Sequence, residues 1–344
     1  MRAIISGIVL SGLLLTGATP AKAPLARDLT VAKWRTDVAA IAPGVAAPDP
    51  ATASPAQVAG FFTGLSAGQR ETLARRDPAL VGNLDGVPVA LRYEANERVV
   101  PEVSRIPGRL LGYDPRGDGR AIVVLGDLAT ARHIAVLVPG MGWGATNLLG
   151  AAGQAGNHPL AAARAVFDEA HRLDPRAPVA VLVWLGYDPP QGLDPLVARS
   201  ERAEAGAPAL RRFLEALPEE SVTLLCHSYG AVVCGRAAQG MRAGDLVALA
   251  APGLDVSTVD ELRTAARVWA ARTPDDPIRF APHVRVAGFG HGADPVAPGF
   301  GARVLRTGTA RGHEGYYAPG TESLTNLARI VLGLTAEVSR ADSV

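Results

Sequence analysis

Two hydrophobic rhythms divide the chain. Up to about Arg105 the apolar positions recur at helical spacing, as in Val31, Trp34, Val38 and Ile41. Ser54-Pro55 has the form of an N-cap followed by proline at the first helical position, and Ser66 opens a further run that ends near Leu73. The dense turn run Gly82-Asn83-Leu84-Asp85-Gly86-Val87-Pro88 follows. From Arg109 the pattern changes to short apolar runs of strand length with helical stretches between them, which is the signature of an α/β fold. Predicted strands are Arg109 to Tyr113, Arg120 to Leu125, His133 to Val138, Val179 to Leu185, Val222 to Cys226, Val247 to Ala251, Val268 to Arg272 and Arg303 to Arg306. Asp114-Pro115-Arg116-Gly117-Asp118-Gly119 between the first two is hairpin chemistry, so the sheet opens antiparallel and continues parallel. Predicted helices are Leu160 to Arg172, Ala205 to Leu217, Tyr229 to Gln239 and Ser323 to Leu334.

The start of the chain has its own pattern. Arg2, an apolar run from Ile4 to Leu15 and small residues from Ala18 to Ala23 have the three parts of a secretory signal. The run is short for a membrane span; cleavage after Ala23 satisfies the small-x-small rule through Ala21 but leaves Pro24 after the cut, and cleavage after Ala21 is the alternative. The expected organisation is a signal peptide over 1–23, a helical region over 24–105 and a catalytic domain over 106–344, with the mature protein secreted. Composition changes this picture little. The 34 basic and 33 acidic side chains leave a net charge of +1, which disfavours a nucleic-acid partner. No zinc-ligand spacing and no Gly-x-Gly-x-x-Gly after a strand is present, so neither a metal nor another cofactor is expected.

Candidate chemistry centres on Val222-Thr223-Leu224-Leu225-Cys226-His227-Ser228-Tyr229-Gly230-Ala231. An apolar strand, a serine in a tight turn and a helix of small residues form the context of a nucleophile elbow, and with eight strands they point to the α/β-hydrolase fold. Cys226 stands where the usual Gly-x-Ser-x-Gly has its first glycine. A serine needs a base, and the base needs an orienting acid. His313 follows the last strand and Asp276 follows the strand before it, which gives the chain order Ser, Asp, His. Asp275 and Asp294 compete with Asp276, and the order rule favours Asp276. His227 is adjacent to the serine with its ring directed elsewhere, His133 reads as structural, and His291 reads either as a wall of the site or as loop packing. Backbone N–H groups of Tyr229 and Met141 are the expected oxyanion donors, Met141 lying in Val138-Pro139-Gly140-Met141-Gly142-Trp143-Gly144.

Over nearly all its mature length the chain resembles an uncharacterised, often exported bacterial family of α/β hydrolases first catalogued as a domain of unknown function. The matching stretches are Gly82 to Pro88 with Arg92 and Ala95-Asn96, Val138 to Met141, and Trp184-Leu185-Gly186-Tyr187-Asp188. They continue with Cys226 to Gly230, Asp276-Pro277-Ile278, His291-Gly292-Ala293-Asp294-Pro295, and His313 before Tyr316-Tyr317. The resemblance implies a serine-hydrolase triad and an N-terminal helical layer but no substrate. It also implies that Trp184, Tyr187 and Asp188 wall the pocket, and His291 and Asp294 are further candidates for that wall.

The expected reaction is cleavage of an ester or amide bond in a small-molecule or lipid-like acyl substrate, through an acyl-enzyme on Ser228. Acyl transfer with the same triad, and a non-catalytic binding protein that keeps the fold, are the alternatives. Cys226 and Cys234, the two cysteines of the chain, are read either as a disulfide joining strand to helix or as two buried apolar thiols.

Overall fold

In a computed structural model, residues 23–100, 106–150, 158–192, 195–218 and 221–341 are described. The export signal expected over 1–23 lies, except for its last residue, outside these residues, as do the last five positions of the expected helical region. The chain divides into a short unit, Met1–Ala47, and a large one, Pro48–Val344. Within the first, helix α1 (Ala23–Ile41) carries the buried Trp34 and Val38 four residues apart on one face.

The large unit begins with α2 (Pro55–Thr63), α3 (Ala67–Arg76), α4 (Pro78–Val81) and α5 (Val89–Val99). The expected serine starts are full capping boxes: the Ser54 and Ser66 hydroxyls accept from the Gln57 and Gln69 N–H groups, and each glutamine Oε1 accepts from the serine N–H. The turn run after α4 is a latch. Buried Arg92 on α5 donates from Nε to the carbonyls of Gly82 and Leu111 and pairs with Asp85 at 3.0 Å. Asn83 donates to the Tyr113 carbonyl at 2.6 Å and accepts from the Tyr113 N–H at 2.8 Å. Gly86, at φ 98°, passes so close to the Pro55 carbonyl that no side chain fits.

The strand those bonds reach is β1 (Arg109–Asp114), the edge of an eight-stranded sheet. The others are β2 (Arg120–Gly126), β3 (His133–Val138), β4 (Val179–Leu185), β5 (Ser221–His227), β6 (Asp245–Leu249), β7 (Arg267–Ala271) and β8 (Arg303–Val304). Their spatial order is β1-β2-β4-β3-β5-β6-β7-β8. The pairs β1/β2 and β2/β4 are antiparallel, and all later pairs are parallel. Strand β4 is buried at every position and β5 at all but its first, as a sheet covered on both faces requires. After the short α6 (Ala145–Gly150), helices α7 (Pro159–Leu173), α8 (Glu201–Ala216), α9 (Tyr229–Ala237) and α10 (Glu322–Val331) cover it. Because β3 to β4 steps one way across the sheet and β4 to β5 steps back, right-handed crossovers put α7 and α8 on opposite faces. α10 packs with α7, and α9 with α8.

Two strands depart from the pattern by two residues at a terminus. β6 starts at Asp245, two residues early, because that buried carboxylate pairs within the sheet with Arg267 at 2.7 and 2.8 Å and accepts from the Trp269 indole N–H at 2.7 Å. β8 stops at Val304, since Arg306 turns its N–H to the Ser339 carbonyl near the C-terminus.

Candidate active site

Strand β5 ends at His227 and α9 begins at Tyr229, which leaves Ser228 alone to make the turn at φ 54° and ψ −127°. A serine pays for that left-handed conformation in strain, and the surroundings must hold it. Its N–H donates to the Leu249 carbonyl at 2.9 Å. The approach is close on every side: a side chain at Gly230 would strike the Val138 carbonyl, and one at Gly140 would lie 2.7 Å from the Ser228 Cβ. Where a further glycine is usual, Cys226 is joined by a disulfide to Cys234 on α9, with Cα atoms 6.4 Å apart. Strand and helix are thus stapled across the serine.

His313 lies on the loop between β8 and α10. Its Nε2 accepts from the Ser228 hydroxyl at 2.9 Å and its Nδ1 donates to Asp276 Oδ1 at 2.8 Å. Asp276, on the loop after β7, is fully buried, and it accepts further bonds from the Ile278 N–H at 2.8 Å and the Tyr316 hydroxyl at 2.6 Å. Burial works against the Asp276 charge, but the donors from His313, Tyr316 and Ile278 together outweigh it and hold the carboxyl below its ordinary range. Burial likewise pulls His313 down, and the hydrogen bond and charge of Asp276, with Glu314 nearby, outweigh it and leave the imidazole above its ordinary value. The bond from Asp276 also sets the tautomer, with the proton on Nδ1 and the lone pair facing the serine.

The other carboxylates do different work. Asp294 pairs with Arg272 and accepts from the Val296 N–H at 3.1 Å. Asp275 accepts from the Gly312 N–H at 2.9 Å and so fastens the loop that carries His313. His227 touches the same loop: its Nε2 donates to the His313 carbonyl at 2.8 Å, its ring lies edge-on to the His313 ring, and burial pushes its pKa below the ordinary value. His133 opens β3 at the end remote from the serine, five residues before Val138.

Tyr229 is the first residue of α9, where a helix N–H has no acceptor within its own helix. Met141, half-buried, follows Gly140 on the loop pressed against Ser228. That loop is fixed by the Tyr187 hydroxyl, which donates to the Pro139 carbonyl at 2.7 Å, and by the Gly142 N–H on the Pro190 carbonyl at 2.9 Å. Tyr187 is therefore a buried support of the loop and presents no wall. Trp184 is sealed in the core, stacked on Tyr187 and tilted against Phe213. Asp188 forms a two-pronged pair with Arg120 at 2.7 and 3.1 Å. His291 packs loops: its Nε2 donates to the Val197 carbonyl at 2.8 Å and its ring meets the Tyr229 ring edge-on. Tyr316 is the site residue that the patterns left without a role; its place three residues after His313 was the available signal.

A cavity of about 640 Å³ adjoins His313. Ala161, Ala162 and Ala165 of α7 line it together with Tyr317 and Pro319. His227, His313 and Glu314 bring possible metal-ligand atoms within 4.8 Å of one another. The fit is poor, because both His313 nitrogens and the His227 Nε2 are engaged in hydrogen bonds.

Residues 114–286 match a family model described as alpha/beta hydrolase. An uncharacterized protein of Mycobacterium tuberculosis is 28% identical over 83% of this chain, which spans 56% of that protein, about half its length. Another, of Mycobacterium bovis, is 33% identical over 91 residues, 24% of this chain and 34% of that protein. Among solved structures, an alpha-beta serine hydrolase homologue from Coxiella burnetii shares 11% identity over 63% of this chain and 91% of its own, with a TM-score of 0.32. An esterase domain from a Rhodothermus marinus protein shares 11% over 64% of this chain and 92% of its own, with a TM-score of 0.34.

Proposed function

The chain belongs to the alpha/beta hydrolase family, and from that premise we propose that it is a serine hydrolase that cleaves ester or amide bonds through an acyl-enzyme on Ser228. The observation that carries this reading is the relay from a strained serine, through His313 at 2.9 Å, to a buried Asp276 at 2.8 Å. The Ser228 oxygen attacks the substrate carbonyl while its proton passes to His313 Nε2. The resulting imidazolium is stabilised by Asp276, which stays ionised because Tyr316 and Ile278 also donate to it. In this reading the N–H groups of Tyr229 and Met141 supply the hydrogen bonds to the developing oxyanion. His313 then returns the proton to the leaving alcohol or amine, and water attacks the acyl-enzyme by the same steps in reverse.

The alanine-lined cavity beside His313 offers space for an apolar acyl or leaving group. Export, proposed from residues 1–23, accords with a disulfide at the heart of the site, since such bonds persist in oxidising compartments. The test is turnover of nitrophenyl esters of graded chain length by the wild type and by Ser228→Ala. Turnover that disappears in a folded Ser228→Ala protein supports the reading. Undiminished turnover in that variant removes Ser228 from the mechanism.

A further inference from the structure

The described residues leave few large apolar side chains in water: Val45, Phe280, Val284, Val286, Phe289 and Leu334. Four of them fall within ten residues, and Phe280 is 74% and Val286 67% exposed. This segment follows Asp276 on the connection between β7 and β8. Phe280 ends a short 3-10 helix, and the far end of the segment is a formed hairpin tip, because Val286 and Phe289 exchange both backbone hydrogen bonds at 2.9 Å. The two residues between them, Ala287 and Gly288, both have positive φ, at 50° and 82°. That is the type I′ turn that tight hairpins use, adopted here with an alanine at a strained position. The base is fixed as well, since the Gly290 N–H donates to the Ala198 carbonyl at 2.8 Å.

The charge of the segment is one-sided. Between Asp276 and Asp294 the sequence has Arg279 and Arg285 and no acidic residue. The Arg279 guanidinium stacks on the Phe280 ring at 4.7 Å and donates to the neutral Pro274 carbonyl, and Arg199 lies over the Phe289 ring at 4.2 Å. Arg199 also pairs with Glu201, and Arg285 reaches Asp255 at 3.3 Å. Apolar side chains with the Arg279 guanidinium beside them match the interface of an anionic bilayer, where rings enter the acyl boundary and a guanidinium meets phosphates. A specific protein interface calls for roughly 800 Å² and 20 to 30 residues a side, far more than four side chains on one ten-residue segment.

We propose that residues 280–289 dock the protein on an anionic lipid surface and that the site next to them acts on acyl esters held there. The second half rests on the hydrolase reading; the first does not. The test is co-sedimentation of the chain with phosphatidylcholine vesicles, with and without phosphatidylglycerol, for the wild type, for Phe280→Asp with Phe289→Asp, and for Arg279→Gln. Residues 1–23 are common to all three, so differences between them report the tip. We expect the double variant to lose at least about tenfold in vesicle affinity, the scale set by burying one phenylalanine. Arg279→Gln is expected to lose the preference for phosphatidylglycerol while keeping binding to phosphatidylcholine. Both variants are expected to retain wild-type thermal unfolding and wild-type turnover of a water-soluble ester. Equal sedimentation of wild type and both variants overturns the proposal, and so does a concentration-dependent dimer that the double variant abolishes, which would give the tip to a second copy. Vesicle binding through the tip in a protein without any esterase activity would uphold the docking and contradict the hydrolase reading. Esterase activity without such binding would do the reverse.

Discussion

At Asp276 two carboxylate roles separate that spacing alone left in competition. Asp276 and Asp294 both precede proline in loops between late strands, so local sequence treats them alike. What distinguishes them is the partner: Asp276 faces His313, whereas Asp294 faces Arg272. Asp276→Asn should lower turnover by up to ~10⁴-fold with little change in KM, because an amide cannot hold the reactive tautomer or stabilise an imidazolium. Asp294→Asn should cost far less, and the opposite ranking in steady-state kinetics would move the orienting acid. The same contact makes a pH prediction. Since His313 is held above its ordinary value, its protonated form persists to higher pH. The acid limb of kcat/KM should therefore lie above about 6.5, with activity lost as pH falls through it. A limb well below that value would mean that Asp276 does not control the imidazole. The Tyr316 hydroxyl on Asp276 was not legible beforehand, because a tyrosine after the base looks the same in sequence whether it packs or donates.

At the scale of elements, the strand-and-helix alternation gave the sheet its count and sense, since each run carries its own period. Strand ends were harder. A run of apolar letters cannot reveal that Asp245 is paired inside the sheet or that Arg306 bonds to Ser339 instead of a neighbouring strand. Trp184, Tyr187 and Asp188 share a stretch that resemblance placed at the pocket, yet they point to the core, to Pro139 and to Arg120 respectively. The disulfide is the element-level device with the clearest consequence. It closes a loop of eight residues, and chain entropy for such a loop is worth roughly 2 to 3 kcal/mol. Replacing both Cys226 and Cys234 by alanine should lower unfolding free energy by about that amount in denaturant titrations. It should also slow acylation, because the strained Ser228 turn loses one of its restraints. Unchanged stability and unchanged acylation in that variant would make the bond incidental.

Across the large unit, the helices before β1 are bound to the sheet through named contacts. Arg92 reaches the Leu111 carbonyl and Asn83 clasps the Tyr113 main chain, so removing these helices would strip the edge strand and leave its polar groups without partners. A chain beginning at Arg109 should accordingly be insoluble or inactive, and a soluble, active protein of that length would show the layer to be dispensable. The motif Gly82 to Pro88 with Arg92 and Asn96, conspicuous in sequence without an evident purpose, is accounted for by this latch and not by chemistry at the serine. The central claim, a nucleophile at Ser228 activated by His313, is tested most directly by a fluorophosphonate probe followed by peptide mass spectrometry. The account predicts one adduct per chain, located on Ser228, formed by the wild type and absent from folded Ser228→Ala and His313→Ala proteins. An adduct on another residue, or labelling that persists in folded Ser228→Ala, would contradict it.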